Sequence, residues 1–361
     1  MAIEQSDSFR EGFRPPCSIV IRSFNEQEHI GRLLSGIFQQ TLSDPEVILV
    51  DSGSTDATLN IASRYPLKIV SIEPEEFSFG RSLNRGCMLA RSEHIVICSA
   101  HVYPVYKDWL ARLLGPFCDP EVALTYGKQR GNEVTRYSEH QLFTQWFPSD
   151  SATHRASFFC NNANAAIRRD LWKQIPYDED LTGLEDLDWA KRATARGFKI
   201  AYVSEAEIVH VHKETPRRIY NRYRREALAL KRIAPEERFG FADFVRLLFT
   251  NVASDCFHAW HDRVFLRNLF SIPTFRAAQF WGGYRGFSRA DPVTSELKRT
   301  FYYPRGLERS PQVTLESSRA LVDYGGATFG ERHPGVPQAD VQPVSRSHHD
   351  DELTVKSADH F

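Results

Sequence analysis

The sequence predicts an α/β fold: a parallel, doubly wound sheet flanked by helices, followed by a helical extension. Three observations predict it. Short apolar runs, Ser18-Ile19-Val20-Ile21, Val47-Ile48-Leu49-Val50 and Ile95-Val96-Ile97-Cys98 among them, read as strands buried on both faces. They alternate with stretches of helical period, joined by short polar turns. The chain of 361 residues is 42% hydrophobic and 25% charged, which is enough apolar material for one large domain with an appendage or for two.

Pro15-Pro16 introduce the first strand, which ends in Arg22-Ser23-Phe24-Asn25-Glu26. Ile30, Leu33, Leu34, Ile37 and Phe38 then recur at helical spacing, through about Gln40. The second strand ends in Asp51-Ser52-Gly53-Ser54-Thr55-Asp56, with Thr55 or Asp56 placed to cap a helix from Ala57 to Arg64. Lys68-Ile69-Val70-Ser71 is a third strand, and Phe79-Gly80-Arg81-Ser82-Leu83-Asn84-Arg85-Gly86 opens a helix reaching Arg91. The central strand runs into Ser99-Ala100-His101, and Pro104 stops its continuation.

A helix from Trp109 to Phe117 and a short strand from Val122 to Tyr126 come next. A loop-rich polar and aromatic stretch follows, and strand character resumes from Asn161 to Ile167. Tyr177 to Gly183 is an acidic loop, Leu184 to Arg196 a helix closed by Gly197, and two strands follow at Ile200 to Val203 and Glu207 to His212. From Pro216 to about Phe287 the chain is helical and basic-aromatic; past Asp291 it is rich in Pro, Ser, His and charge. The expected division is a flexible start (1–15), a sheet domain (16–215), a helical extension (216–290) and an irregular, largely disordered tail (291–361).

With 45 basic and 46 acidic residues, the chain carries no global argument for binding nucleic acid. Its six cysteines are scattered without a paired motif and read as buried free thiols in a reducing compartment. Met1 to Arg14 lacks the apolar core of a signal peptide, and no stretch has the length and apolarity of a membrane span. The expectation is a cytoplasmic protein. The basic-aromatic helices either lie on an anionic membrane surface, as a peripheral contact, or pack on the sheet domain with their arginines solvated.

In an open α/β sheet, ligands bind beyond the carboxyl ends of the strands. Asp51 stands there, able to accept from a base N–H, and Gly53 lets a ligand approach the backbone. Taken alone, the same residues also make an ordinary capped turn. His101 sits at another strand end. Glu185, Asp186 and Asp188 open a helix, where solvated carboxylates favour the dipole. His210-Val211-His212 puts two imidazoles on one strand face, as a ligand pair or a satisfied pair. Trp146, Trp172, Asn161, Asn162 and Asn164 are either ligand contacts, through stacking and amide hydrogen bonds, or structural supports.

The order of these parts resembles the family 2 glycosyltransferases of GT-A fold, from residue 17 to about 215. The resemblance implies a Rossmann-like, mostly parallel sheet flanked by helices. It implies an inverting hexosyl- or deoxyhexosyltransferase that takes a UDP-, dTDP- or GDP-linked sugar to a hydroxyl of a glycan or lipid-linked acceptor, in polysaccharide or glycoconjugate biosynthesis. Asn25, Glu26 and Asp51 correspond to the loops that grip the nucleotide, and Arg81 and Asn84 to the segment near its pyrophosphate. The family's usual Asp-x-Asp is replaced by Ser99-Ala100-His101, leaving Ser99 for a ribose hydroxyl. His101, joined by His210 in preference to His212, would hold a divalent cation, Mn²⁺ or Mg²⁺, and a neutral imidazole suits Mn²⁺ better. Glu185-Asp186 matches the family's Glu-Asp motif, making Asp186 the general base with Asp188 as fallback. Loss of the Asp-x-Asp carboxylates leaves open a non-catalytic sugar-nucleotide-binding protein. A nucleotidyltransferase would want a glycine-rich loop where this chain has Ser23-Phe24-Asn25-Glu26.

Overall fold

The computed structural model describes residues 15–73, 76–152, 158–288 and 320–324, so the expected flexible start and most of the expected tail lie outside the described residues. The apolar runs pair into an eight-stranded sheet. In chain order the elements are β1 (Ser18–Ser23), α1 (Ile30–Phe38), β2 (Glu46–Asp51), α2 (Thr58–Ala62), β3 (Lys68–Ser71), α3 (Phe79–Leu89), β4 (His94–Ser99) and β5 (Val102–Pro104). Then follow α4 (Trp109–Leu114), β6 (Val122–Arg130), α5 (Tyr137–Trp146), β7 (Asn164–Arg168), α6 (Arg169–Gln174), α7 (Glu185–Thr194) and β8 (Lys199–His210).

The strand order is β3-β2-β1-β4-β7-β6-β8-β5. The first four are mutually parallel, as are β6 and β8, while β7 and β5 run antiparallel to their neighbours. The sheet is therefore mixed and mostly parallel. The short apolar run of β7 reads alike in either direction, because a strand buried on both faces carries no directional pattern.

Alternation along each strand divides the core between the two faces. Val20, Ile48, Ile95 and Ile97 pack with Leu83, Trp189 and Tyr202 on one face. Ile19, Ile21, Val96 and Cys98 pack with Leu33, Ile37 and Trp109 on the other. Each such aliphatic side chain stabilises the fold by about 1.5–3 kcal/mol on burial.

Three local expectations change. The two late strands are one, β8, whose pairing with β6 shifts register between Gly127 and Gln129. Such a slip bends a strand without ending it. The stretch read as loop contains α5, whose apolar stripe is thin: Leu142 and Phe143 are its buried apolar residues. The central strand β4 already ends at Ser99: the chain turns at Ala100-His101 into β5 at the sheet edge, where proline is tolerated and Pro104 is the last strand residue. Residues 320–324 cover that edge: Lys107 N–H donates to the Ala320 carbonyl at 2.9 Å, and Val322 N–H to the Val105 carbonyl at 3.1 Å.

The helical extension comprises α8 (Pro216–Ile233), α9 (Phe241–His261), α10 (Phe265–Asn268) and α11 (Ser271–Phe287). Helices α8 and α11 meet closely because Gly282 and Gly286 leave room. A Cβ there would stand 2.5 Å from the Tyr220 carbonyl oxygen and 2.5 Å from Ala227 Cβ, respectively. All six cysteines are free, and Cys17, Cys87, Cys98 and Cys160 are buried as expected. Cys118 is exposed and Cys256 half-buried, because each lies on a helical turn at the surface and not in the sheet.

Candidate active site

Strand register gathers the candidate residues at one edge of the sheet. Arg22 pairs with Ser99, Ser23 with Asp51, and Val102 with His210. The loops after β1 and β2 are laced together there. The Asp51 carboxylate is buried and accepts Gly53 N–H at 3.0 Å and Ser54 N–H at 2.8 Å. Gly53 takes φ +86°, a conformation costly to any residue with a Cβ. Ser54 Oγ accepts Asn25 N–H at 2.8 Å, and Asn25 Oδ1 accepts Thr55 N–H at 2.8 Å. Asp56 accepts the Thr58 N–H at 2.9 Å in a local turn ahead of α2, whose N-cap is Ala57 and not the expected Thr55 or Asp56. Buried Ser23 Oγ and Ser52 Oγ beside this turn have no hydrogen-bond partner among the described residues. Such groups are rare without a ligand or water to satisfy them.

Arg81 and Asn84 stand on α3. Arg81 Nε donates to Glu179 at 2.8 Å, and its Nη1 to the Glu76 carbonyl at 2.9 Å. The Asn84 amide is filled from within the protein. It donates to the Tyr177 carbonyl and Glu179, and accepts from Trp172 Nε1 and Tyr177 N–H, all within 3.0 Å. That leaves no free donor or acceptor for a nucleotide, so Asn84 acts as a brace and its expected binding role is withdrawn. Trp172 is its partner and Asn164 bonds Trp109 at 2.9 Å, so both are supports as well. Ser99 is half-buried at the end of β4.

Three imidazoles meet across the sheet edge. Ring centroids are 5.0 Å apart for His101 and His210, 4.0 Å for His210 and His212, and 5.8 Å for His101 and His212. One ring nitrogen from each lies within 4.8 Å of the other two. The Nδ1 atoms have their own partners: Glu26 at 2.8 Å from His101, Gln129 at 2.8 Å from His210, and Glu139 at 2.7 Å from His212. An Nδ1–H held this way fixes the tautomer and leaves Nε2 with its lone pair. His210 Nε2 is buried without a partner. Burial, followed by His212 and His101, lowers the His210 pKa well below the usual value, so the ring is neutral and ready to ligate.

Glu139 is the anchor of this second layer. Burial alone would raise its carboxyl, but His212 and then Arg222, 2.8 Å away, hold it down at about 2. Arg222 also meets Glu214 at 2.7 Å, which joins α8 of the helical extension to the cluster. Sequence reading singled out the histidines, yet passed over Glu139, Gln129 and Arg222. The signal for Glu139, a carboxylate on the inner stripe of a thin amphipathic helix, was present but weak.

The carboxylates of α7 enter beside Arg22. Leu184 precedes the helix at φ +56°, a strained left-handed residue of the kind that clusters at functional sites. Glu185 is buried and paired with Arg22 at 2.9 Å. Asp186 Oδ2 accepts Asn162 N–H at 3.0 Å and Oδ1 accepts Leu187 N–H at 2.9 Å. Burial, with Glu185 beside it, pushes the Asp186 carboxyl up to about 7, the range that suits a base at neutral pH. Asp188, the fallback, is tied to Arg192 at 2.7 Å.

Residues 18–175 match the profile of Glycosyl transferase family 2. Two curated relatives are O-antigen chain rhamnosyltransferases: WbaN of Salmonella anatum, 31% identical over 52% of this chain, and RfbN of Salmonella typhimurium, 25% identical over 57%. The matched region spans 63% of the first relative's length and 69% of the second's. Among solved structures, the mannosyltransferase PcManGT from Pyrobaculum calidifontis, in complex with GDP-Man and Mn²⁺, shares the fold. Its TM-score is 0.53 at 19% identity, over 78% of this chain and 89% of that one.

Proposed function

We propose that the chain, whose residues 18–175 match the profile of Glycosyl transferase family 2, moves a sugar from a nucleoside diphosphate donor to a hydroxyl of a growing surface polysaccharide, with inversion. The names of the two Salmonella relatives support a deoxyhexose donor and a polysaccharide acceptor.

The observation that carries the reading is Asp186. A buried carboxyl raised to about 7 is costly to a mere binder and useful to a general base. Asp186 takes the proton from the acceptor hydroxyl as that oxygen attacks the anomeric carbon, and the nucleoside diphosphate departs from the opposite face. Burial holds that pKa up, the Glu185 carboxylate adds to it, and Arg22, paired with Glu185 at 2.9 Å, pulls the other way without cancelling them. The donor lies along the β1 and β2 loops, with Asn25, Glu26 and Asp51 toward the nucleotide, Ser99 toward the ribose and Arg81 toward the diphosphate.

His101, His210 and His212 would hold a divalent cation. The donor set fits: three imidazole nitrogens, one of them buried without a partner among the described residues, suit Mn²⁺ and fit Mg²⁺ poorly. Such an ion would neutralise charge on the diphosphate leaving group. Calorimetric titration of UDP, dTDP and GDP, each with Mn²⁺ and with EDTA, tests the donor site, followed by donor turnover in water. Metal-dependent binding of one nucleotide with slow hydrolysis of its sugar ester is the expected result. Binding without any turnover would point to a sugar-nucleotide-binding protein, and binding of none would overturn the reading.

A further inference from the structure

Helix α9 has two contrasting faces. Leu247, Asn251, Asp255 and Ala259 recur at helical spacing and are buried. Opposite them, Arg246, Phe249, Ala253, Phe257 and Trp260 recur at intervals of three or four and point away from that core. Phe249 is 69% exposed, Phe257 61% and Trp260 69%. Trp260 meets Phe265 edge to face at 5.9 Å, and beyond it Leu266 is 83% and Phe270 82% exposed. Exposed aromatics scattered singly need no explanation, but an aligned stripe does.

Charge indicates the occupant. The acids of residues 241–288 are Asp243, Asp255 and Asp262. Asp243 pairs with Arg246 at 2.9 Å, Asp255 is buried against Arg276 at 2.8 Å, and Asp262 accepts the Tyr137 hydroxyl at 2.6 Å. Arg263 and Arg267 are exposed and stand three residues along the chain from Trp260 and Phe270, respectively, with His258 and His261 on the preceding turn. Phenyl and indole rings rimmed by arginines are what the boundary between headgroups and acyl chains favours. A second copy docked through the same face would instead bring Arg263 and Arg267 toward their own counterparts. We infer that the outer face of α9 and the α10 turn dock on an anionic lipid bilayer, laying the helical extension along the membrane surface.

The test is co-sedimentation of the full chain with phosphatidylcholine vesicles, with and without added phosphatidylglycerol. The variants are Phe257→Ser with Trp260→Ser, and Arg263→Glu with Arg267→Glu. The wild-type chain is expected to bind the anionic vesicles, less so at high salt. The ring variant should bind about 10-fold more weakly or worse, since two rings no longer leave water. The charge variant should lose its preference for phosphatidylglycerol. All four side chains are at the surface, so the variants should fold, and calorimetric nucleotide binding should not change. That readout separates failure of docking from failure of the transfer reading. Equal vesicle binding by wild type and ring variant would overturn the inference, as would no binding by the wild type. A concentration-dependent dimer that the ring variant abolishes, with no vesicle binding, would make this face an interface between copies and also overturn it.

Discussion

Asp186→Asn should abolish sugar transfer and at the same time remove a stability penalty that grows with pH. The folded-state pKa stands at about 7 against the ordinary value of 3.8, a rise of about 3 units. The sign follows from proton counting. Between those values the folded protein binds a proton that the unfolded chain has released, so stability falls as pH rises through this window. At about 1.4 kcal/mol per unit, the loss from this group approaches about 4 kcal/mol and is complete above pH ~7. Asparagine cannot ionise, but it offers one acceptor oxygen to two N–H groups, those of Asn162 and Leu187, at a cost of about 1–3 kcal/mol. That cost varies little with pH, whereas the carboxylate penalty does not. Urea unfolding of both proteins from pH 4 to 8 would measure the difference, because the remaining ionisable groups largely cancel. The stability difference should move by up to about 4 kcal/mol in favour of the variant as pH rises. In the wild type, kcat/KM should climb with unit slope to a plateau above pH ~7. A stability difference constant across that range would refute the raised pKa, and retained transfer would move the base to another residue.

Two further outcomes test the supports around the site. Glu139→Gln should weaken Mn²⁺ binding about 10- to 100-fold by calorimetry, since His212 loses the carboxylate that orients it while Arg222 keeps Glu214. An unchanged affinity would remove His212 from the ligand set. Asp255→Ala should cost about 3–5 kcal/mol in urea unfolding, because it strands the Arg276 guanidinium, now held by two bonds of 2.8 and 2.9 Å, in an apolar interface. A loss below ~1 kcal/mol would mean that water reaches the pair.

The strands β1 to β4, the polar loops after β1 and β2 and the Glu185-Asp186 helix start were legible in the sequence. Each is marked by residues within a few positions of one another: an aliphatic run, an Asp that accepts the N–H groups of its own turn, a Gly at positive φ. The alternation of His210 and His212 likewise placed two imidazoles together from local period alone. The direction of β7 and the existence of α5 were not legible, since neither a doubly buried strand nor a thin apolar stripe carries a strong local pattern. Nor was the brace role of Asn84, whose four bonds go to residues 88 to 95 positions away. The imidazole cluster took its form the same way, with His101 meeting Glu26 across 75 positions and His210 meeting Gln129 across 81. The sequence alone determined the strands β1 to β4 and the cluster of carboxylates that opens α7. Tertiary packing decided which histidines share a site and which polar side chains are already satisfied, because hydrogen bonds over such separations depend on how the sheet is ordered and not on any local run of residues.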